Sequence, residues 1–177
     1  MIDTIKNKID TSQLIYKIIS IEDIREIKGF KCGNGSMELF LQTEAYASHI
    51  HREASTTLVY LQDKLVGYFT IKHEDADHEP WVEGSNYKSS LDIARIAVSE
   101  DMQNNGIGTE IINEIIKKAI QVNERFITLD ALKEKWEWYK RFGFDYLFED
   151  DLTSDSIVVT MILDLYDVDL IDQYWDQ

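Results

Sequence analysis

Ile93-Ala94-Arg95-Ile96-Ala97-Val98, followed closely by Gln103-Asn104-Asn105-Gly106-Ile107-Gly108, is the stretch that decides the fold. The first run is apolar and rich in β-branched residues, which predicts a strand. The second carries two glycines, which predict a turn. It opens a periodic stretch in which Ile107, Ile111, Ile112, Ile115, Ile116, Ala119 and Ile120 recur on one helical face. Glu110, Glu114, Lys117 and Lys118 fall elsewhere, so the helix is amphipathic and packs on a sheet. A strand–turn–helix of this kind leaves main-chain N–H groups unpaired at the positive end of the helix dipole. That is a place for a phosphate or pyrophosphate, and glycines at 106 and 108 let the main chain approach it without a Cβ in the way. Two common phosphate motifs are absent. Position 111 is Ile, so GxGxxG is not formed, and no GxxxxGK[ST] occurs.

Upstream, Leu14–Ile21 predicts a first strand and Ile21–Ile27 a short helix. Phe30–Ser36 predicts a turn, with Ser36 capping a helix from about Met37 to His51. Thr56–Gln62 and Leu65–His73 predict a hairpin turning at Asp63-Lys64, and residues 74–87, with the only proline, a loop before a strand over Lys88–Val98. Downstream, Arg125–Asp130 predicts a strand and Lys133–Phe142 a helix closed by Gly143. Phe144–Phe148 and Ser156–Leu163 predict two more strands. The order implies an α/β fold: one central mixed sheet with helices on both faces.

At 177 residues the chain fits a single domain over 1–177, and 44% hydrophobic with 29% charged residues is the composition of an ordinary globular protein. There is no membrane-spanning run, no signal-like apolar segment and only one cysteine, Cys32, so the expected compartment is cytoplasmic, without an internal disulfide. The net charge is −15, and ten acidic residues fall between Asp145 and Gln177 without one Lys or Arg. An acidic C-terminal extension, about 165–177, follows the last strand, and its Leu170, Ile171, Tyr174 and Trp175 predict docking on the domain or on a partner. Such acidity argues against general binding to nucleic acid and for a cationic substrate or basic partner. It also suits a plain solubilising surface.

Trp138-Tyr139-Lys140-Arg141-Phe142-Gly143-Phe144 is the second informative segment. Together with Gln103-x-x-Gly106-x-Gly108 after a strand, it resembles the GCN5-related N-acetyltransferase (GNAT) superfamily over about residues 12–164. Phe30-x-Cys32-Gly33, Leu39-Phe40-Leu41, Ser55-Thr56-Thr57, Val66-Gly67-Tyr68-Phe69-Thr70 and Ala94–Val98 are similar to the branch that includes the toxins of bacterial toxin–antitoxin pairs. The resemblance implies a mostly antiparallel mixed sheet and acetyl-CoA as co-substrate, with no metal. It implies that the main chain of Gln103, Asn104, Asn105, Gly106, Ile107, Gly108 and Thr109 holds the coenzyme pyrophosphate, that Ile96, Ala97 and Val98 pair with its pantetheine arm, and that Tyr139 protonates the departing thiolate.

Around that core, Arg95, Trp81, Asp92 and Asp130 are candidates for binding the acceptor, and Asp92, Asp130 and Glu74 are carboxylates at strand positions or ends that would suit a general base. The residues His73–Glu79 have metal-ligand types but no scaffold that fixes a geometry, so a surface loop is expected. The expected reaction is direct N-acetyl transfer in a ternary complex to a primary amine. The acidity favours a polyamine, an amino sugar or a protein or peptide amine. The branch resemblance implies the amino acid of charged tRNA instead. A third reading keeps the fold as a non-catalytic acyl-CoA-binding regulatory module. A homodimer through the terminal strands or tail fits any of the three.

Overall fold

The computed structural model describes residues 9–75 and 89–166, together with Asp169 and Gln173. Seven strands form one sheet in the order β1-β2-β3-β4-β5-β7-β6. They are β1 (Leu14–Ile18), β2 (Ser55–Leu61), β3 (Lys64–Asp75), β4 (Ser89–Val98), β5 (Phe126–Leu132), β6 (Asp145–Tyr146) and β7 (Val158–Asp164). The helices are α1 (Ile24–Gly29), α2 (Gly35–Thr43), α3 (Ala45–Ile50), α4 (Ile107–Gln121), α5 (Trp136–Lys140) and α6 (Asp150–Thr153). β4 and β5 run parallel; β1 with β2, β2 with β3, β5 with β7 and β6 with β7 run antiparallel. The mixed, mostly antiparallel sheet is therefore as the sequence predicts.

The chain forms two compact units, Met1–Lys72 with Ala94–Glu114 and His73–Ile93 with Ile115–Gln177. In the first, successive residues of β1 show helices on both faces of the sheet. Tyr16 faces Glu110 and Glu114 of α4, whereas Lys17 reaches Asp23 in the 3-10 turn before α1. Between α1–α3 and the sheet lies a core of Ile19, Ile27, Phe30, Leu41, Leu58 and Tyr68. Thr56 and Thr70, opposite one another on β2 and β3, bury their hydroxyls as a hydrogen-bonded pair at 2.8 Å. In the second unit, β5 pairs with β7 along its whole length, from Phe126↔Asp164 to Leu132↔Val158. Ile127 and Val159 are fully buried there, as are Ile115 and Ala119 on the second half of α4.

Local chemistry moves several boundaries. The helix expected over 37–51 is two helices, with Glu44, its φ stretched to −117°, as the junction between α2 and α3. Asn34, not Ser36, caps α2, its Oδ1 accepting from Ser36 and Met37 N–H. The hairpin turns at Gln62-Asp63, one residue earlier than expected, with Gln62 at φ 55° and Leu61 opposite Lys64. The helix expected over Lys133–Phe142 shrinks to α5: Lys133–Lys135 form a turn closed by Lys135 N–H donating to Leu132 carbonyl, while Lys133 N–H donates to Ile157 carbonyl. β1 stops at Ile18, β6 is two residues long, and α6 was not expected. The 74–87 loop, apart from Glu74 and Asp75, and the apolar residues of the tail lie outside the described residues.

Candidate active site

The end of β4 is shaped by Gly67 on β3. A Cβ there would stand 2.8 Å from the carbonyl oxygen of Ala97 and 3.3 Å from Ile111 Cδ1, so only glycine lets β4 and α4 lie this close to β3. Ser99 N–H then donates to Val66 carbonyl at 2.9 Å. β4 pairs with β5 at Leu91↔Ile127 and Asp92↔Thr128. Ala97 is buried and Ile96 and Val98 are partly exposed, as strand residues that offer backbone rather than side chain would be.

A 3-10 turn, Glu100–Met102, leads into the glycine segment. Asn104 at φ 62° and Gly106 at φ 86° take left-handed backbone and reverse the chain into α4. Asn105 holds the reversal, its amide donating to Met102 and Gln103 carbonyls at 3.1 and 3.0 Å. Glu110 N–H to Gly106 carbonyl is the first bond of the helix. Among the described residues, none accepts a hydrogen bond from the main-chain N–H of Gln103 through Thr109. These seven donors, at the start of a 15-residue helix, suit a pyrophosphate. Ile107 is core, with 1% exposed, so it contributes only its backbone to such a site. The Gln103 side chain reaches elsewhere, donating to Cys32 and Val98 carbonyls.

Tyr139 lies on α5, edge-on to Trp138 and Phe144 at 4.8 and 6.1 Å between ring centroids. Burial pushes its phenol up to about 12, and its hydroxyl makes no hydrogen bond to a described residue. Gly143, at φ +91°, turns the chain so that Phe144 is buried. Arg95, on β4, donates to Ala94 carbonyl at 2.6 Å and lies 5.1 Å over the Phe40 ring of α2, with no carboxylate paired to it among the described residues. Asp92 accepts from Thr128 Oγ1 at 3.3 Å, and Asp130, on exposed β5 surface, accepts from Thr160 Oγ1 at 2.9 Å. Glu74 is exposed at the end of β3. Trp81 lies outside the described residues.

The Cys32 thiol is buried, faces Asn34 carbonyl at 3.6 Å and is pushed up by that burial, which is the opposite of an activated nucleophile. Among the described residues no group of three or more His, Cys, Asp or Glu is placed to hold a metal ion, and no helix is long and apolar enough to cross a membrane. Sequence reasoning missed two contributors. Glu38 accepts from Cys32 and Gly33 N–H, and its only signal is a carboxylate in the first turn of α2. The Gln103 side chain could have been suspected from its amide, whose two N–H groups need partners wherever it is partly covered.

The model of the acetyltransferase (GNAT) family matches residues 21–144, and the chain belongs to that family: it is an acetyl-CoA-dependent acetyltransferase. Among solved structures it is similar to a bacterial toxin, at a TM-score of 0.68 and 16% identity over 93% of this chain and 96% of that one. It is also similar to AtaT complexed with acetyl-methionyl-tRNAfMet, at 0.65 and 19% over 92% and 99% of the two chains. A third likeness, at 0.62 and 18% over 93% and 99%, is to a tyrosine-to-phenylalanine mutant of the AtaT toxin bound to the C-terminus of the antitoxin AtaR and acetyl-CoA. At these identities the likeness is one of fold.

Proposed function

We propose that the chain transfers acetyl from acetyl-CoA directly to a primary amine, with a cationic acceptor as the first reading. The run of seven main-chain N–H groups from Gln103 to Thr109 with no acceptor among the described residues carries this proposal. When bound, acetyl-CoA supplies a thioester, an acetyl group already activated for transfer to an amine. Asn104, Asn105, Gly106, Ile107, Gly108 and Thr109, with Gln103, would bind its pyrophosphate through the backbone. The edge of β4 at Ile96, Ala97 and Val98 would pair with the pantetheine arm as an added strand does and orient the carbonyl for attack. Tyr139 would hold the proton that the sulfur takes on leaving; a phenol pushed up to about 12 keeps that proton at any physiological pH. A buried, unactivated Cys32 supports direct transfer over a covalent acyl-enzyme. Arg95, Trp81, Asp92 and Asp130 are the acceptor-side candidates.

The acid excess of 15 charges supports a cationic amine such as a polyamine, an amino sugar or a basic peptide. Aminoacyl-tRNA is the second reading, favoured by the likeness to AtaT in complex with acetyl-methionyl-tRNAfMet and by a local basic stretch, Lys133, Lys135, Lys140 and Arg141, around α5. Labelled acetyl-CoA offered to charged tRNA and, separately, to polyamines, amino sugars and basic peptides decides between them. Label in the amine pool alone supports the first reading and label in tRNA replaces it with the second. No transfer to either, with coenzyme still bound, points to an acyl-CoA-binding module instead.

A further inference from the structure

We infer that the Gln103 side chain is a positioning residue that ties coenzyme binding at the glycine turn to the 31–33 loop and, through it, to α2. The inference rests on the coenzyme reading above, and every atom it uses lies in the first compact unit. Gln103 Nε2 spends both its hydrogens on main-chain carbonyls, those of Cys32 at 2.9 Å and Val98 at 3.1 Å. It thereby joins the end of β4 to a loop that lies 71 residues before Gln103 itself. Two neighbouring contacts seat the same loop on the segment that leads into the turn. Glu100 N–H donates to Lys31 carbonyl at 3.0 Å, and Gly33, at φ +80°, leaves room for Glu100, whose Oε1 would lie 3.0 Å from any Cβ added there.

The loop's other side is held by α2. Glu38 Oε1 accepts from Cys32 and Gly33 N–H at 3.0 and 3.2 Å, while its Oε2 binds Lys31 Nζ at 2.7 Å. Two residues further along α2, Phe40 carries Arg95 on its ring. The chain of contacts thus runs from the turn to Gln103, to the Cys32 loop and to Glu38 at the start of α2. The N–H groups of the turn have no acceptor in the described chain to fix them, so a ligand that fills them selects one turn conformation. A carbonyl bonded to Gln103 is drawn into that selection. Filling the coenzyme turn therefore holds the Cys32 loop, and with it the start of α2, in the closed arrangement.

Cys32 is the only cysteine and sits on the loop in question, so its labelling by a maleimide, read by intact-protein mass spectrometry, reports loop opening without any knowledge of the acceptor. Acetyl-CoA at about ten times its Kd is expected to slow labelling about tenfold, the limit that mass action sets when only the closed loop binds. In Gln103→Ala, at ten times that variant's own Kd, protection is expected to fall below about twofold. Asn105→Ala, which loses bonds within the turn but none to the loop, is expected to keep the protection once saturated. Gln103→Met, similar in length and without donors, replaces Gln103→Ala if that variant does not fold. Coenzyme binding to the native protein without protection of Cys32, or full protection in the Gln103 variants, overturns the coupling and leaves the coenzyme site standing. Failure of the native protein to bind coenzyme at all overturns the proposed function and this inference with it.

Discussion

At the scale of single residues, burial does most of the chemistry. Tyr139 sits against Trp138 and Phe144, where burial disfavours an ionised phenolate, and the proton stays on to about 12. Tyr139→Phe keeps the ring packing and removes the proton. It is expected to lower kcat by roughly a hundredfold or more, the usual scale for loss of a general acid, with acetyl-CoA affinity little changed in calorimetry. Unchanged kcat would return Tyr139 to a purely packing role. Gly67 is decided by contact rather than by conformation. Gly67→Ala puts a methyl 2.8 Å from a main-chain oxygen that cannot move aside alone, so a loss of about 1–3 kcal/mol is expected in urea unfolding.

At the scale of elements, α2 depends on its first turn. Asn34 satisfies two of its orphan N–H groups, and Asn34→Ala is expected to cost about 1 kcal/mol in the same assay, where Ser36→Ala costs much less. The sequence misleads here because Asn34, Gly35 and Ser36 are all good residues near a helix start, and only the backbone shows which one is extended. α4 was largely legible, since apolar positions at helical spacing define one face; Ile107, Ile111, Ile112, Ile115 and Ala119 are buried as expected, but Ile120, placed on that face, is exposed because it lies in the last turn. α5 was not legible. Its flanks are claimed by bonds to β7's neighbour Ile157 and to Leu132, partners that are remote in sequence or invisible to periodicity.

For the molecule as a whole, charge sets the responses to pH and salt. Tyr16 and Tyr60 also stand at about 12, each chiefly through burial and then through nearby carboxylates. Below pH 10 these phenols are neutral in both states and contribute no pH dependence. Above it the unfolded chain loses protons first, so the urea midpoint is expected to fall steadily from pH 10 to 12. At the acid end, burial works to raise Asp23, but hydrogen bonds from Lys17 and Ser20 outweigh it and leave the carboxyl lowered; Glu38 and Asp164 are lowered by Lys31 and Arg125. Their stabilisation is complete above the ordinary carboxylate range and is expected to drain away as pH falls below about 4. If the acceptor is cationic, its KM is expected to rise with salt between about 50 and 500 mM while that of acetyl-CoA does not, because screening weakens the long-range attraction of an acidic surface. A salt-independent KM would remove the electrostatic argument for that acceptor.

The sequence by itself determined the strands, the long helix and the glycine turn, because each rests on short-range periodicity or on the backbone freedom of glycine, and the order of those elements implied the mixed sheet. It also carried the family, through Gln103-x-x-Gly106-x-Gly108 and the Tyr139 segment. Tertiary structure alone decided which side chains answer one another. That Gln103 reaches Cys32 and that Arg95 rests on Phe40 join residues far apart in the chain, and Glu38 reaches back six residues to the same loop. Hydrogen bonds and ring contacts act over a few ångströms in space, and nothing in residue spacing encodes that distance until the sheet has brought the strands together.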